Sequence, residues 1–136
     1  MKLTLRRTAG AQFEARNEAG QLALLDGPAD VGGQGAGVRP MEMLLMSLAG
    51  CSAMDVLLIL QKQRQDIVDL DINVEGTRAR AVPAVFERIH LHFAASGPVD
   101  PQKLERAVSL SMEKYCSVAK MLDQIAAISF TSEVKA

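Results

Sequence analysis

The residues best suited to chemistry in this chain are its two cysteines, Cys51 and Cys116. Each lies in a segment of helix-forming residues, and each is followed by a serine. Two thiols allow one to attack an oxidant and the other to resolve the oxidised sulfur as a disulfide. The alternative is that both are packing residues, since free cysteine often serves as a small apolar core residue. Their presence as a pair favours thiol redox chemistry.

The residues around the cysteines predict how readily each thiol ionises. Cys116 lies near the predicted start of a helix, with Lys114 and Lys120 close in sequence. A helix N-terminus and nearby cations favour a thiolate, so this pattern predicts a lowered pKa for Cys116. Asp55 follows Cys51 by four residues and shares its helical face. A bare carboxylate there disfavours the Cys51 thiolate, so we expect either a cation beside Asp55 or a poorly ionised Cys51.

A metal centre is the second chemical interpretation of these residues. The two cysteines together with His90 and His92 offer four potential zinc ligands. Short zinc motifs, however, place their paired ligands two to four residues apart, and these cysteines are 65 residues apart. The polar face of an exposed strand accounts for the two histidines equally well. We therefore expect no metal ligands and no cofactor in this chain.

Composition narrows the class of protein. With 136 residues the chain fits a single domain, residues 1–136, and the 49% hydrophobic fraction suits a globular core. The net charge of −1 argues against nucleic-acid binding, which requires a basic surplus. With no tryptophan, one tyrosine and four phenylalanines, the chain also offers few surfaces on which bases would stack.

The N-terminal residues and the most apolar segment bear on location. Arg6 and Arg7 are followed by no apolar run, so we expect no secretory signal and a cytoplasmic protein. Residues 41–60 are long enough to span a membrane. Because Glu42 and Asp55 are costly in lipid, and because small polar residues dilute the apolar run, we expect a core helix and no membrane partner.

The hydrophobic pattern predicts an α+β fold with an antiparallel sheet. Alternating apolar and polar residues predict strands at 2–6, 12–16, 21–25, 70–75, 86–94 and 128–134. Helices are predicted from Pro40 to about residue 63, from Asp100 to Leu110 and over residues 113–124. The first helix is apolar on nearly every side, so we expect it to be buried on most faces as the centre of the fold. A loop with five glycines in residues 27–39 precedes it and lacks a phosphate-binding motif.

Two motifs resemble a known family. The run PMEMLLMSLAGCSAMDVLLILQKQRQDIVD and the segment EKYCSVAKML resemble the OsmC/Ohr superfamily of hydroperoxide-detoxifying proteins, and most closely its YhfA-like branch. The resemblance covers nearly the whole chain. It implies an OsmC-like fold in which an antiparallel sheet packs on a long central helix, and an intertwined homodimer with two sites at the subunit interface.

The resemblance also implies an activity in defence against oxidative stress. Cys51 corresponds to the peroxidatic cysteine, which attacks an organic hydroperoxide as a thiolate and becomes a sulfenic acid. Cys116 corresponds to the resolving cysteine, which closes a disulfide that a small dithiol or a protein thiol then reduces. Family members use no metal, flavin or haem.

One departure from the family pattern bears on that activity. Organic-hydroperoxide members carry a glutamate directly after the proline, where this chain has Met41. Glu42 is nine residues from Cys51, about 180° around the helix, and cannot take over the role from the same helix. Those members also use an arginine from the early strands, for which Arg16 and Arg39 are the candidates. The departure keeps open an alternative function, a ligand-binding or redox-sensing protein with little peroxidase turnover.

The surface of the predicted central helix independently favours a homodimer. One sheet covers one side of a helix, and a chain of this length has only one other sizeable amphipathic helix, at residues 104–110. An apolar stripe should therefore remain for a second copy to cover. Arg16, Arg39 or Asp55 would then act across the interface between subunits.

Overall fold

The computed structural model of the chain describes residues 1–136 and divides them into two compact units, residues 1–44 and 45–136. The predicted α+β class is confirmed, and the elements follow in the predicted order. The strands are β1 (Leu3–Ala9), β2 (Gln12–Asn17), β3 (Leu22–Leu25), β4 (Asp69–Arg78), β5 (Phe86–Ser96) and β6 (Ala127–Val134). The helices are α1 (Pro40–Lys62), α2 (Pro101–Leu110) and α3 (Ser117–Leu122), with short turns of other helix types at Ala29–Val31 and Ser111–Tyr115.

The first unit contains an antiparallel sheet in the order β1-β2-β3. Asp26, directly after β3, is 2% exposed and organises the glycine-rich loop that follows. Its carboxylate accepts hydrogen bonds from the backbone N–H groups of Gly27, Gln34 and Ala36 at 2.8–3.0 Å. The loop therefore folds around one buried side chain.

Glycine is required within this loop where two backbone segments meet. A Cβ atom on Gly33 would collide with the carbonyl groups of Gly27 and Pro28. The backbone N–H of the same residue donates to the Pro28 carbonyl at 2.9 Å. Close approach of backbone is one of the uses of glycine that a sequence does not reveal by itself.

The second unit contains a separate sheet in the order β4-β5-β6. The sequence predicted one antiparallel sheet. The structure has two sheets, and β5 and β6 are parallel. Parallel neighbours need a crossover connection, which α2, the turn Ser111–Tyr115 and α3 supply. In the central strand, Ile89, Leu91 and Phe93 are at most 1% exposed, and the histidines alternate with them as predicted.

Helix α1 begins at Pro40, as predicted, and Glu42 accepts a hydrogen bond from the backbone N–H of Arg39 at 2.9 Å. The expectation that α1 is buried on most faces is wrong within a single chain. Only a stripe at four-residue spacing is buried, because the rest of the chain covers one side of the helix: Leu48, Ser52, Val56 and Leu60. By length and composition α1 is also apolar enough to cross a membrane, a test that core helices of soluble proteins pass as well.

Candidate functional site

Helix α1 presents Cys51 beside its buried stripe. Cys51 directly precedes the buried Ser52, and the thiol is half-buried. Asp55 lies one turn further along the same face and is also half-buried. The Ser52 hydroxyl donates to the carbonyls of Leu48 and Ala49 at 2.9 and 3.0 Å, so this polar side chain is satisfied within its own helix.

Cys116 is positioned by an irregular turn after α2. Residues Ser111–Tyr115 form a π-helical turn, and the Cys116 N–H donates to the Ser111 carbonyl at 2.7 Å. The turn ends in an extended residue, Cys116 itself, which caps the N-terminus of α3. Its Sγ atom accepts a hydrogen bond from the Ala119 N–H at 3.3 Å. Single π turns are frequent at functional sites, and this one holds the cysteine at only 2% exposure.

The two cysteines and Asp55 converge although Cys116 is 65 residues from Cys51 in sequence. The Sγ atoms of Cys51 and Cys116 and a carboxylate oxygen of Asp55 all lie within 4.8 Å of one another. Both thiols are free. An S–S bond is about 2.05 Å long, so the sulfurs need to approach by less than about 3 Å to form one. We refer to these three residues as the dithiol site.

The ionisation of Cys116 differs from the prediction. Burial raises the pKa of the Cys116 thiol to about 11, and the hydrogen bond and charge of Cys51 act in the same direction. The Ala119 N–H opposes this shift. The prediction of a lowered pKa was therefore wrong, because loss of solvation outweighs the helix terminus. At neutral pH Cys116 is a protonated thiol, and the better exposed Cys51 is the sulfur that a solute meets first.

Ser111 is a residue of the site that the sequence reasoning missed. It is fully buried, and its hydroxyl donates to the Oδ2 atom of Asp55 at 3.0 Å. The partner of Asp55 is thus a hydroxyl group rather than the cation that the sequence led us to expect. Because Ser111 also accepts the hydrogen bond from the Cys116 N–H, it connects both halves of the dithiol site. A serine 56 residues from its partner leaves no local signal in the sequence.

The other predicted supporting residues have partners of their own in residues 1–44. The guanidinium of Arg16 donates to the Gly20 carbonyl at 3.1 Å, within the turn that follows β2. The Glu42 carboxylate caps α1 through the backbone of Arg39, whose charge also helps to lower the pKa of Asp26.

The two histidines do not join the cysteines, which contradicts the four-ligand arrangement weighed from the sequence. His90 hydrogen bonds to Ser129 at 2.7 Å, and His92 to Thr131 at 2.7 Å, across the β5–β6 pair. His92 also lies 3.2 Å from the Glu133 carboxylate. Both rings therefore belong to the polar surface of the second sheet.

Comparison with known proteins identifies the family. The family model described as OsmC-like protein matches residues 33–131, which contain both cysteines. The chain belongs to this OsmC-like family. The Escherichia coli K12 protein YhfA is 41% identical over 137 residues, covering 100% of this chain and 99% of YhfA. The resemblance predicted from the two motifs is thereby confirmed.

Solved structures show the same OsmC-like fold. A hypothetical protein from Aquifex aeolicus VF5 is 34% identical, with a TM-score of 0.83 over 99% of this chain and 97% of that one. An organic hydroperoxide resistance protein OsmC from Legionella pneumophila has a TM-score of 0.71 at 17% identity, covering 100% and 98% of the two chains. The similarity to the Legionella pneumophila protein shows that the two chains share a fold. That fold therefore occurs among hydroperoxide resistance proteins.

Proposed function

We propose that this OsmC-like protein reduces organic hydroperoxides with its two thiols. The observation that carries the proposal is the pair of sulfurs within 4.8 Å, one half-exposed and the other buried. Family membership and the fold shared with a hydroperoxide resistance protein support the same substrate class. The exposure of the sulfurs supports Cys51 as the peroxidatic and Cys116 as the resolving cysteine, because a peroxide reaches Cys51 before it reaches Cys116.

The first chemical step takes place at Cys51. Its thiolate attacks the terminal peroxide oxygen, an S–O bond forms and the O–O bond breaks. The leaving alkoxide takes up a proton and departs as an alcohol, while the sulfur becomes a sulfenic acid. The apolar helix around Cys51 suits an alkyl hydroperoxide better than hydrogen peroxide.

The second step uses Cys116. Its sulfur attacks the oxidised sulfur of Cys51, the S–S bond forms, the S–O bond breaks, and the oxygen leaves as water with the Cys116 proton. A small dithiol or a protein thiol then reduces the disulfide by exchange and is itself oxidised. A reducing cytoplasm is the compartment in which such a cycle operates, and we propose that location.

The test is a peroxide-consumption assay with a dithiol as reductant. Wild-type protein should consume cumene hydroperoxide faster than hydrogen peroxide. Cys51→Ser should abolish turnover. Cys116→Ser, mixed with peroxide in the absence of any added thiol, should consume about one equivalent and retain a sulfenic acid that dimedone traps in mass spectrometry. Ser117→Ala, next to Cys116 on the exposed side of α3, is the matched control and should behave as wild type.

A second candidate function follows from Met41 and from the hydroxyl partner of Asp55. Neither the family glutamate after Pro40 nor a cation at Asp55 is present to support a Cys51 thiolate. These observations favour a ligand-binding or redox-sensing protein with slow turnover. Equal and negligible peroxide consumption by wild type and Cys51→Ser would select this second function.

We also propose that the protein is a homodimer. Within one chain, Met46, Met54, Leu57 and Leu58 of α1 are between 42% and 72% exposed. Large exposed apolar side chains grouped on one helix mark interaction surfaces in soluble proteins, and a second copy of the same helix offers an apolar surface of the same kind. Arg16 or Arg39 of one subunit supporting Cys51 of the other is part of this proposal.

Size-exclusion chromatography with light scattering tests the dimer. The expected mass is twice the 14.6 kDa of one chain. Leu58→Glu should shift the protein towards monomer, because it places a charge within the covered surface. Gln102→Glu, at an exposed position of α2, should leave the mass unchanged. A wild-type monomer at micromolar concentration would contradict the proposal.

A further inference from the structure

The dithiol site also has the composition of a metal site. Two sulfurs and one carboxylate oxygen lie within 4.8 Å of one another. Cys51 and Asp55 come from one face of α1, and Cys116 comes from the N-cap of α3. Two ligands four residues apart on a helix and a third from another element is an arrangement that metal sites in proteins use. The histidines play no part in this donor set.

We infer that the reduced protein binds one thiophilic divalent cation, Zn²⁺ foremost, through Cys51, Cys116 and Asp55. Zinc takes thiolate sulfur at about 2.3 Å in tetrahedral geometry, which corresponds to sulfurs about 3.8 Å apart. The observed limit of 4.8 Å differs from this by about 1 Å, a change within the reach of side-chain rotation.

Hydrogen bonds behind the donors support the assignment. Carboxylates and other ligands in metal sites are held by groups that do not touch the metal. Ser111, fully buried, donates to the Oδ2 atom of Asp55, and the Ala119 N–H donates to the Cys116 sulfur. The hydrogen bond from the Cys116 N–H to the Ser111 carbonyl closes the π turn. It links Cys116 to the serine that also holds Asp55.

The chemistry of the donors selects the cation. Two soft sulfurs favour Zn²⁺, Cd²⁺ or Co²⁺ and disfavour Mg²⁺ and Ca²⁺, which prefer oxygen. Three protein ligands leave the fourth tetrahedral position for water, as in open zinc sites. Cys51 and Asp55 are half-exposed, so the cation has a route from solvent.

Metal binding and peroxide reduction exclude each other at this site. Zn²⁺ displaces the protons of both thiols, which leave as two H⁺, and it occupies the sulfur lone pairs that would attack a peroxide. No electrons are transferred. The metal site itself does not rest on the proposed peroxide chemistry, because its donors are present whether or not the thiols turn over.

Cobalt binding tests the inference directly. Reduced protein, freed of metal by a chelator and kept anaerobic, is titrated with Co²⁺. One equivalent should produce thiolate-to-cobalt absorption in the near ultraviolet and the intense visible bands of tetrahedral Co²⁺. Zn²⁺ should then abolish both, and Mg²⁺ should not. Weak bands of octahedral Co²⁺, or no saturation at one equivalent, would overturn the inference.

Variants assign the ligands. Cys51→Ser and Cys116→Ser should each lose most of the charge-transfer absorption, and Asp55→Asn should lower the affinity at least 10-fold. Ser111→Ala should weaken binding about 10-fold, the effect of losing a supporting hydrogen bond. His92→Ala is the matched control and should bind as wild type. Loss of the signal in His92→Ala, with binding retained in Cys51→Ser, would place the metal elsewhere.

A measurement on the unaltered protein keeps the test independent of variant folding. One equivalent of Zn²⁺ should protect the accessible Cys51 from iodoacetamide, measured by mass spectrometry, and EDTA should restore its alkylation. Alkylation at unchanged rate would contradict the inference. Since the assay contains no peroxide, its outcome is separate from that of the peroxidase test.

Discussion

Two carboxylates in different parts of the chain have contrasting surroundings. Asp26, in the first unit, is 2% exposed and accepts three backbone N–H groups. Asp55, in the second unit, is half-buried, accepts one hydroxyl from Ser111 and lies beside two sulfurs. Backbone donors fix a carboxylate in its charged form, whereas a single hydroxyl leaves it capacity for another partner.

The difference separates a structural role from a chemical one. The hydrogen bonds to Asp26 bring together residues that are eight and ten positions away in the loop. The Asp26 carboxylate therefore accepts its hydrogen bonds from the backbone of the loop that it organises. Asp55 has the Ser111 hydroxyl as its hydrogen-bond partner and lies beside the two sulfurs, so we expect its substitution to affect the dithiol site more than the fold. Substitution of Asp26 should therefore lower the stability of the fold, whereas substitution of Asp55 should mainly change the reactivity of the dithiol site.

The largest effect on stability is expected for Asp26→Ala. The substitution removes the acceptor of three backbone N–H groups of the loop, and hydrogen bonds to a charged acceptor are among the stronger ones. We expect the midpoint of thermal unfolding to fall by several degrees, measured by circular dichroism. Asp30→Ala, an exposed position of the same loop, should change it little. Equal effects of the two substitutions would contradict the assignment of Asp26 as the anchor of the loop.

Lowering the pH should reduce the contribution of Asp26 to the stability of the fold. The Ala36 and Gln34 N–H groups, in that order, lower the pKa of Asp26 below its ordinary value of 3.8. Its contribution to stability is therefore present above the ordinary pKa and is lost as the pH falls through the lowered one. The difference in unfolding midpoint between wild type and Asp26→Asn should narrow between pH 6 and pH 3. A difference that is independent of pH would show that the charge has no role.

A smaller effect is expected for Ser111→Ala. It removes one hydrogen bond to the half-buried Asp55, and should lower the free energy of unfolding by about 1 kcal/mol, measured in urea. Asp71→Asn provides the comparison at the surface, because Asp71 is exposed and ion-paired with Lys135. It should change stability less than Ser111→Ala does. The reverse order would mean that the dithiol site is not held by Ser111.

Much of the fold follows from local patterns. Pro40 and the apolar run after it predict α1, and alternation at Ile89, Leu91 and Phe93 predicts the buried face of β5. The four-residue spacing of Cys51 and Asp55 predicts their common helical face. These patterns depend on residues close in sequence, where backbone periodicity alone determines which side chains are neighbours.

The missed features depend on contacts between distant residues. The Ser111 hydrogen bond to Asp55 joins residues 56 positions apart. The raised pKa of Cys116 depends on burial by the folded protein, and the parallel pairing of β5 and β6 on the path of the crossover. The anchoring role of Asp26 was hidden because an aspartate before a glycine-rich segment is typical of an ordinary turn.

The crossover between β5 and β6 has a consequence for the order in which the protein folds. A parallel pair forms only after its whole connection has been laid down, and such non-local pairing is slow. Cys116 lies within that connection, while Cys51 lies before β4. The nascent or partly folded chain therefore holds two ordinary, distant thiols. Their proximity requires α1 and the crossover to have come together, so the dithiol site cannot form from either segment alone.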